Sequence, residues 1–287
     1  MDASTDSAVA QQMPLTGSRV LAYTLMVAAA IITALPFVWM FLSAFKGSTE
    51  IAAIPLRWLP REWRFDNFLL PWSIMPFGRM YLNSIFVSVS QTTGVLVTAS
   101  LAAYGFARIN FAGRNVAFVL YLATIMVPGW VTLIPVYQIM KSLDWLNTYQ
   151  GLIIPGMTSA FATFLLRQFF LSIPTELEDA AFMDGANRLQ SLWHIVLPLA
   201  RPALLTVGLL TFMGSWNSLT WPLIIAQDVN LQTLPLGLTR LAISGGWLRV
   251  EWGPLLAGTL MSLLPIIVMY IFLQGYFIRG VATSGLK

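Results

Sequence analysis

The 287-residue chain has no cysteine and a single histidine, and only 10% of its residues are charged. Without cysteine there are no disulfides, thiolate nucleophiles, iron–sulfur clusters or thiolate zinc sites. The lone His194 leaves a metal site to carboxylates, and none cluster within an apolar run, so no metal site is expected. A G-x-x-x-x-G-K-[ST] run is missing, and only Lys46, Lys141 and Lys287 could supply its phosphate-binding lysine. The chain therefore brings no P-loop of its own. A formal net charge of +4, weak and scattered, excludes a nucleic-acid partner. An ordinary globular protein devotes about 25% of its residues to charge. The charges here are too few to cover a water-facing surface.

Apolar residues fill the space, at 57% of the chain with a mean hydropathy of +0.73. Most of the surface must therefore face something apolar, most simply membrane lipid. A charge at the bilayer centre costs roughly 2.5–3.5 kcal/mol on insertion scales, so gaps between charges mark spans. Six gaps are long enough to cross, at 20–45, 80–107, 115–140, 145–166, 202–227 and 252–278. Their apolar runs are continuous, without the alternation of a barrel strand. An all-α integral membrane protein is expected, with six transmembrane helices at 20–43, 81–107, 115–139, 150–171, 203–226 and 252–278. The polar residues ahead of the first span read as a disordered tail, and that span is too long for a signal-peptide core. Prolines at 36, 128, 135, 155, 222 and 265 lie within the spans. They are either kinks that fit one helix around another or, at Pro128 and Pro222, openings beside a polar pathway.

Charge does not orient the chain. Arg19, Arg108, Arg114, Arg167, Arg188, Arg201, Arg279 and Lys287 lie on the side of the termini. Lys46, Arg57, Arg61, Arg64, Arg79, Lys141, Arg240 and Arg249 lie on the other, and the acids are equally balanced.

The segment 173–201, between the fourth and fifth spans, is unusually structured for a connection. Thr175 followed by Glu178 has the spacing of a capping box, and Glu176, Glu178 and Asp179 sit where a helix dipole favours acids. Asp184-Gly185 ends that helix, with glycine permitting a positive φ and Asp184 able to cap the next helix. A second amphipathic helix places Leu189, Leu192, Trp193 and Val196 on one face, and Leu197-Pro198 ends it. The expected loop is helix, tight turn, helix, outside the membrane.

The run Glu178-Asp179-Ala180-Ala181-Phe182-Met183-Asp184-Gly185-Ala186, with Ile195-Val196-Leu197-Pro198 after it, resembles the EAA loop of ABC importer permeases. Asp179 stands where that family has its leading glutamate. Phe45-Lys46, Asn83-Ser84, Met126-Val127-Pro128, Leu146-Asn147-Thr148 with Gly151, Trp216-Asn217 with Trp221-Pro222, and Tyr276-Phe277-Ile278-Arg279-Gly280 are similar to the carbohydrate-uptake, maltose-type branch. Ser218 stands where that branch commonly has an acid.

The resemblance implies a type I importer permease fold. A cytoplasmic tail over 1–19 would precede a permease domain over 20–279, followed by a cytoplasmic tail over 280–287. It implies a bacterial or archaeal cytoplasmic membrane with both termini inside. Its implied partners are a second, related permease, a homodimeric ATPase and an extracytoplasmic substrate-binding protein. No cofactor is implied for this chain; ATP and Mg belong to the ATPase. The loop would be the coupling helix, with Glu178, Asp179, Ala180, Ala181, Asp184, Gly185, Ala186, Leu192, Leu197 and Pro198 carrying ATPase coupling.

The expected activity is transport of a sugar or sugar-like solute (a saccharide, polyol or glycerophosphodiester) by alternating access, not enzymatic turnover. A non-sugar solute or a stand-alone secondary transporter are the alternatives. The second of these lacks the intramembrane carboxylates that proton coupling uses. Neutral polar and aromatic side chains suit a sugar pathway. The candidates are Asn83, Ser84, Ser88 and Gln91 in the second span and Asn217, Ser218 and Trp221 in the fifth. The same residues could equally make interhelical hydrogen bonds worth ~0.6–2 kcal/mol each.

Overall fold

The structure is a computed structural model that describes residues 17–243 and 250–284; residues 1–16 of the expected N-terminal tail, together with 244–249 and 285–287, lie outside the described residues. No strand occurs among the described residues. In chain order the main helices are α1 (Gly17–Ser43), α2 (Phe77–Arg108), α3 (Arg114–Ala123), α4 (Gly129–Ser142), α5 (Tyr149–Ile153), α6 (Ala160–Ser172), α7 (Glu176–Met183), α8 (Arg188–Ser191), α9 (Arg201–Trp216), α10 (Thr220–Ile225), α11 (Leu234–Ile243) and α12 (Trp252–Ser284).

Among the described residues three stretches are long and apolar enough to cross a bilayer as continuous helices: Val20–Ser43, Phe77–Arg108 and Trp252–Phe272. No residue in the most apolar window of the first is buried within the chain. That helix offers its side chains to lipid or to another subunit, as a wholly apolar helix must.

The remaining expected spans are not the continuous helices anticipated, and each break has a local cause. Between 115 and 139, α3 runs on as a turn through Met126, and α4 leaves at 98° to that segment. Pro128 is extended at φ −60°, ψ 133°, and it holds Val127 extended at ψ 115°. A proline disfavours helical backbone in the residue before it and cannot donate to the preceding turn. Between 150 and 171 the bend is 43°. There Ser159 restarts the helix as α6, its Oγ accepting the Ala162 N–H at 3.2 Å. Between 203 and 226 the helix stops at Trp216 and restarts at Thr220. The Asn217 backbone N–H and its Nδ2 both donate to the Met213 carbonyl, satisfying one of the groups that a helix end leaves free. Pro36, Pro135 and Pro265, by contrast, lie inside unbroken helices.

The longest buried helix, α2, is the centre of the fold and packs along both α6 and α9. Ala99, Ala103 and Ala107 repeat every four residues on its buried face. Lipid tails are as apolar as leucine, so helices in a membrane gain by close van der Waals contact, which small residues allow. Val95, Tyr104, Leu166, Phe170, Leu192, Val196 and Val207 complete this core. A second cluster, with Leu152, Ile153 and Ile225, joins α5 to α10, and a third, with Phe77, Phe212 and Trp216, joins α2 to α9.

Gly151 is the joint of the second cluster. Its N–H donates to Thr148 Oγ1 at 3.2 Å, and its carbonyl accepts from Trp221 Nε1 at 2.9 Å. A Cβ at this position would collide with the backbone carbonyl oxygen of Trp145. Backbone cannot rotate away as a side chain can, so overpacking here costs about 1–3 kcal/mol. Gly151→Ala is expected to lower the thermal unfolding midpoint of the purified protein, whereas Gly129→Ala, where an added Cβ meets open space, leaves it within measurement error.

Candidate functional site: a buried ionic node and an uncharged cavity

In the segment after α6, the expected capping box between Thr175 and Glu178 does not form. Thr175 already has helical backbone angles, φ −70° and ψ −26°, and its side chain caps nothing. Glu178 turns inward instead and is 3% exposed. Its Oε1 lies 2.6 Å from Arg108 Nε, a close ion pair without an aligned hydrogen bond. Its Oε2 accepts from Tyr104 Oη at 2.7 Å and from Ser191 Oγ at 2.8 Å. Arg108 also donates to the Ile173 carbonyl. A buried carboxylate takes the partners that best offset its desolvation, and a guanidinium with two hydroxyls outcompetes one backbone N–H. One side chain therefore binds the end of α2, the start of the loop and α8 together.

The turn after α7 closes as a glycine cap. Gly185 sits at φ +85°, its N–H bonds to the Phe182 carbonyl, and the Ala186 N–H reaches back to the Ala181 carbonyl. These two bonds make a Schellman motif, which a residue at positive φ permits. Asp184 ends α7 rather than capping α8. Asn187 takes that role: its Oδ1 accepts the Gln190 N–H at 2.9 Å, while Gln190 Oε1 accepts the Asn187 N–H at 2.8 Å.

The expected single apolar face of the second helix is divided. Leu192 and Val196 are buried with Ser191, while Leu189 and Trp193 point outward. A wide π turn over Leu192–Val196 comes after α8, and the segment through Leu199 then meets α9 at 81°. Met183, Leu189 and Trp193 are 87%, 55% and 54% exposed and form an apolar rim; Leu177 and Leu199 are also exposed on this segment. Asp179, Ala180, Asp184 and Gly185 are exposed beside it; Ala181, Ala186, Leu197 and Pro198 are half-buried. His194 Nδ1 lies 3.0 Å from the Gln190 carbonyl oxygen.

The polar residues of the second and fifth spans separate into two groups. Asn83 Nδ2 donates to the carbonyls of Asn230 and Gln232 at 2.8 and 2.9 Å, and its Oδ1 accepts from Tyr149 Oη at 2.7 Å. Ser84 Oγ accepts the Leu234 N–H at 2.7 Å, and Asn217 closes the end of α9. All three are committed to holding helices and connections together. Gln91, Ser218 and Trp221 border an open-sided cavity of about 650 Å³ between α2, α4, α6, α9 and α10, although Gln91 Nε2 also donates to the Leu152 carbonyl at 2.8 Å and Trp221 Nε1 to that of Gly151. Ser88, 1% exposed, faces a small recess next to it.

The sequence did not single out Trp130, Thr132, Thr211 or Ser215, which also line this cavity. Trp130 and Thr132 arrive there through the break at Pro128, one of the two prolines at which the sequence allows an opening beside a polar pathway. The loop's sequence likewise gave no notice of Tyr104 and Arg108. Their i, i+4 spacing at the end of a span was the available signal, since a lone arginine there needs an acid. Among the described residues no three acids or histidines gather as metal ligands would.

The node should behave as a coupled pair. Arg108→Met leaves a buried carboxylate without its counter-charge and is expected to cost about 3–5 kcal/mol. The double variant Arg108→Met/Glu178→Leu should regain most of that loss, read as thermal unfolding of the purified protein. An additive double variant would mean that the two charges do not depend on each other.

Comparison with known proteins places this architecture. Residues 94–282 match the family described as binding-protein-dependent transport system inner membrane component. A probable ABC transporter permease, YurM of Bacillus subtilis, is 37% identical over 257 residues, covering 88% of this chain and 84% of that protein. The arabinooligosaccharides transport system permease AraQ of Halalkalibacterium halodurans is 34% identical over 261 residues, covering 90% and 92%. Among solved structures, a chain of a bacterial ABC transporter that imports the acidic polysaccharide alginate superposes with a TM-score of 0.79 at 26% identity, covering 90% of this chain and 95% of that one. The chain thus belongs to the binding-protein-dependent transport inner membrane components, within the carbohydrate-uptake permeases of ABC importers.

Proposed function

We propose that this chain is one of two related permeases in an ATP-driven importer that moves a sugar or sugar-like solute into the cytoplasm by alternating access. The observation that carries this reading is the loop 173–201. It presents an apolar rim outward and is anchored inward by a buried ion pair to the central helix α2.

A lever must be stiff where it joins the load and adhesive where it is gripped. Glu178 supplies the stiffness from inside the chain and does not reach a partner. Asp179, exposed beside the rim, offers a carboxylate to the surface of a homodimeric ATPase, which holds ATP and Mg. Leu192, buried and next in the chain to the exposed Trp193, passes a push on the rim to the core between α2, α6 and α9. Leu197 and Pro198 lead that push into α9, one wall of the cavity. An extracytoplasmic binding protein delivers the solute from the far side. On this reading the loop and both termini are cytoplasmic, and the chain turns over no substrate of its own.

Gly185 tests the lever. A β-branched side chain is strained at φ +85°, by about 1–3 kcal/mol, and would break the Schellman turn between α7 and α8. Gly185→Val is expected to leave the complex assembled and hydrolysing ATP while uptake into proteoliposomes falls at least tenfold. Uptake at the unmodified rate would remove the coupling role. Failure of the chain to co-purify with any ATPase would remove the importer reading altogether.

A further inference from the structure

The chemistry of the cavity narrows the solute, an inference that rests on the permease reading. Of the described residues that line the 650 Å³ space, none is charged. The volume lies within the ~300–1,000 Å³ of small-molecule sites. The lining pairs the rings of Trp130 and Trp221 with neutral hydrogen-bonding groups, among them Gln91, Thr211 and Ser218. A phosphate or carboxylate brought there would find no counter-charge in this lining to offset any water it gives up. Sugar hydroxyls need only neutral partners, and the C–H face of a pyranose suits an aromatic ring.

The recess next to this cavity adds a second observation. It shares Gln91, Ser215, Ser218 and Trp221 with the larger space and holds about 10 Å³. Ser88 and Thr233, 1% and 4% exposed, line it, and so does Ser215. The Oγ of Ser88, the Oγ1 of Thr233 and the Oγ of Ser215 are all buried and have no hydrogen-bond partner. Hydroxyls in apolar helices ordinarily bond back to a carbonyl three or four residues earlier. In this chain Thr24, Thr33, Thr132, Thr206 and Thr259 do so. Three hydroxyls left unpaired around one opening are costly unless something pairs with them. The recess holds a single oxygen-sized group.

We infer that the recess is a subsite of this subunit for one hydroxyl of an uncharged saccharide, and that the adjoining cavity receives the neutral ring that carries it. On this lining the solute is a neutral sugar or polyol rather than a glycerophosphate or a uronate. The acidic cargo named for the alginate importer would need cationic groups that this lining lacks.

The absence of native cysteine allows a direct test. In the assembled complex in lipid nanodiscs, Ser218→Cys is labelled with a small methanethiosulfonate reagent in the presence of graded solute. Maltose, cellobiose and trehalose are the neutral probes; glycerol 3-phosphate and digalacturonate are the anionic ones. At least one neutral probe is expected to slow labelling tenfold or more, and the anionic probes to leave it unchanged. Adding Ser88→Ala should raise the half-protecting concentration at least fivefold. Adding Thr259→Val, whose hydroxyl is satisfied within its own helix, should move it less than twofold. Protection by an anionic probe, protection by none of the neutral ones, or equal shifts from the two added variants would overturn the subsite. In each of these outcomes the complex is still assembled, so the permease reading survives. A chain that assembles with no ATPase would overturn both.

Discussion

The Glu178 carboxylate ties together parts of the chain that are far apart in sequence. It sits in the loop and touches Arg108 and Tyr104 on α2 and Ser191 on α8. An unpaired buried charge is far more costly than a paired one, so any movement that separated loop from helix would have to break the ion pair and two charge-assisted hydrogen bonds together. The cheaper motion carries loop and α2 as one body. The aligned Ala99, Ala103 and Ala107 face lets α2 pack closely in the core it shares with α6 and α9.

The cavity owes its existence to a different constraint. Backbone groups in an apolar medium must be satisfied within the chain, so a helix can break only where something takes up its free ends. Here the Ser159 hydroxyl takes an N–H at the start of α6, and Asn217 covers the last turn of α9. The break before α6 falls beside Pro155 and Gly156, the break after α9 beside Ser218, and all three residues line the cavity. Interruptions in the helices and the open space therefore coincide in this fold.

The polar residues of the spans show how much could be read in advance. Asn83, Ser84, Ser88, Gln91, Asn217, Ser218 and Trp221 carry similar groups at similar depth, and the chain order does not distinguish them. In space, Asn83 is held by three partners and Ser84 by one, away from the large cavity, while Gln91 and Trp221, each with one backbone partner, and Ser218 border open volume. Glu178 illustrates the same limit in the loop. Its spacing from Thr175 fits a capping box, but local spacing carries no information about an arginine seventy residues earlier. The apolar residues of α8 and its adjoining turn divide for a related reason, since periodicity assumes 3.6 residues per turn and the π turn departs from it.

The helical class, the membrane environment, the extent of the apolar runs and the glycine turn at Gly185 are dictated by the sequence by itself. They depend on short-range rules: the cost of charge in lipid, the length needed to cross it, and the freedom of a residue without Cβ. Which helices break, which acid is buried and which hydroxyls face open space were decided only by the tertiary structure. Those outcomes are set by competition among partners that only folding brings within reach, and desolvation makes the better-paired arrangement prevail.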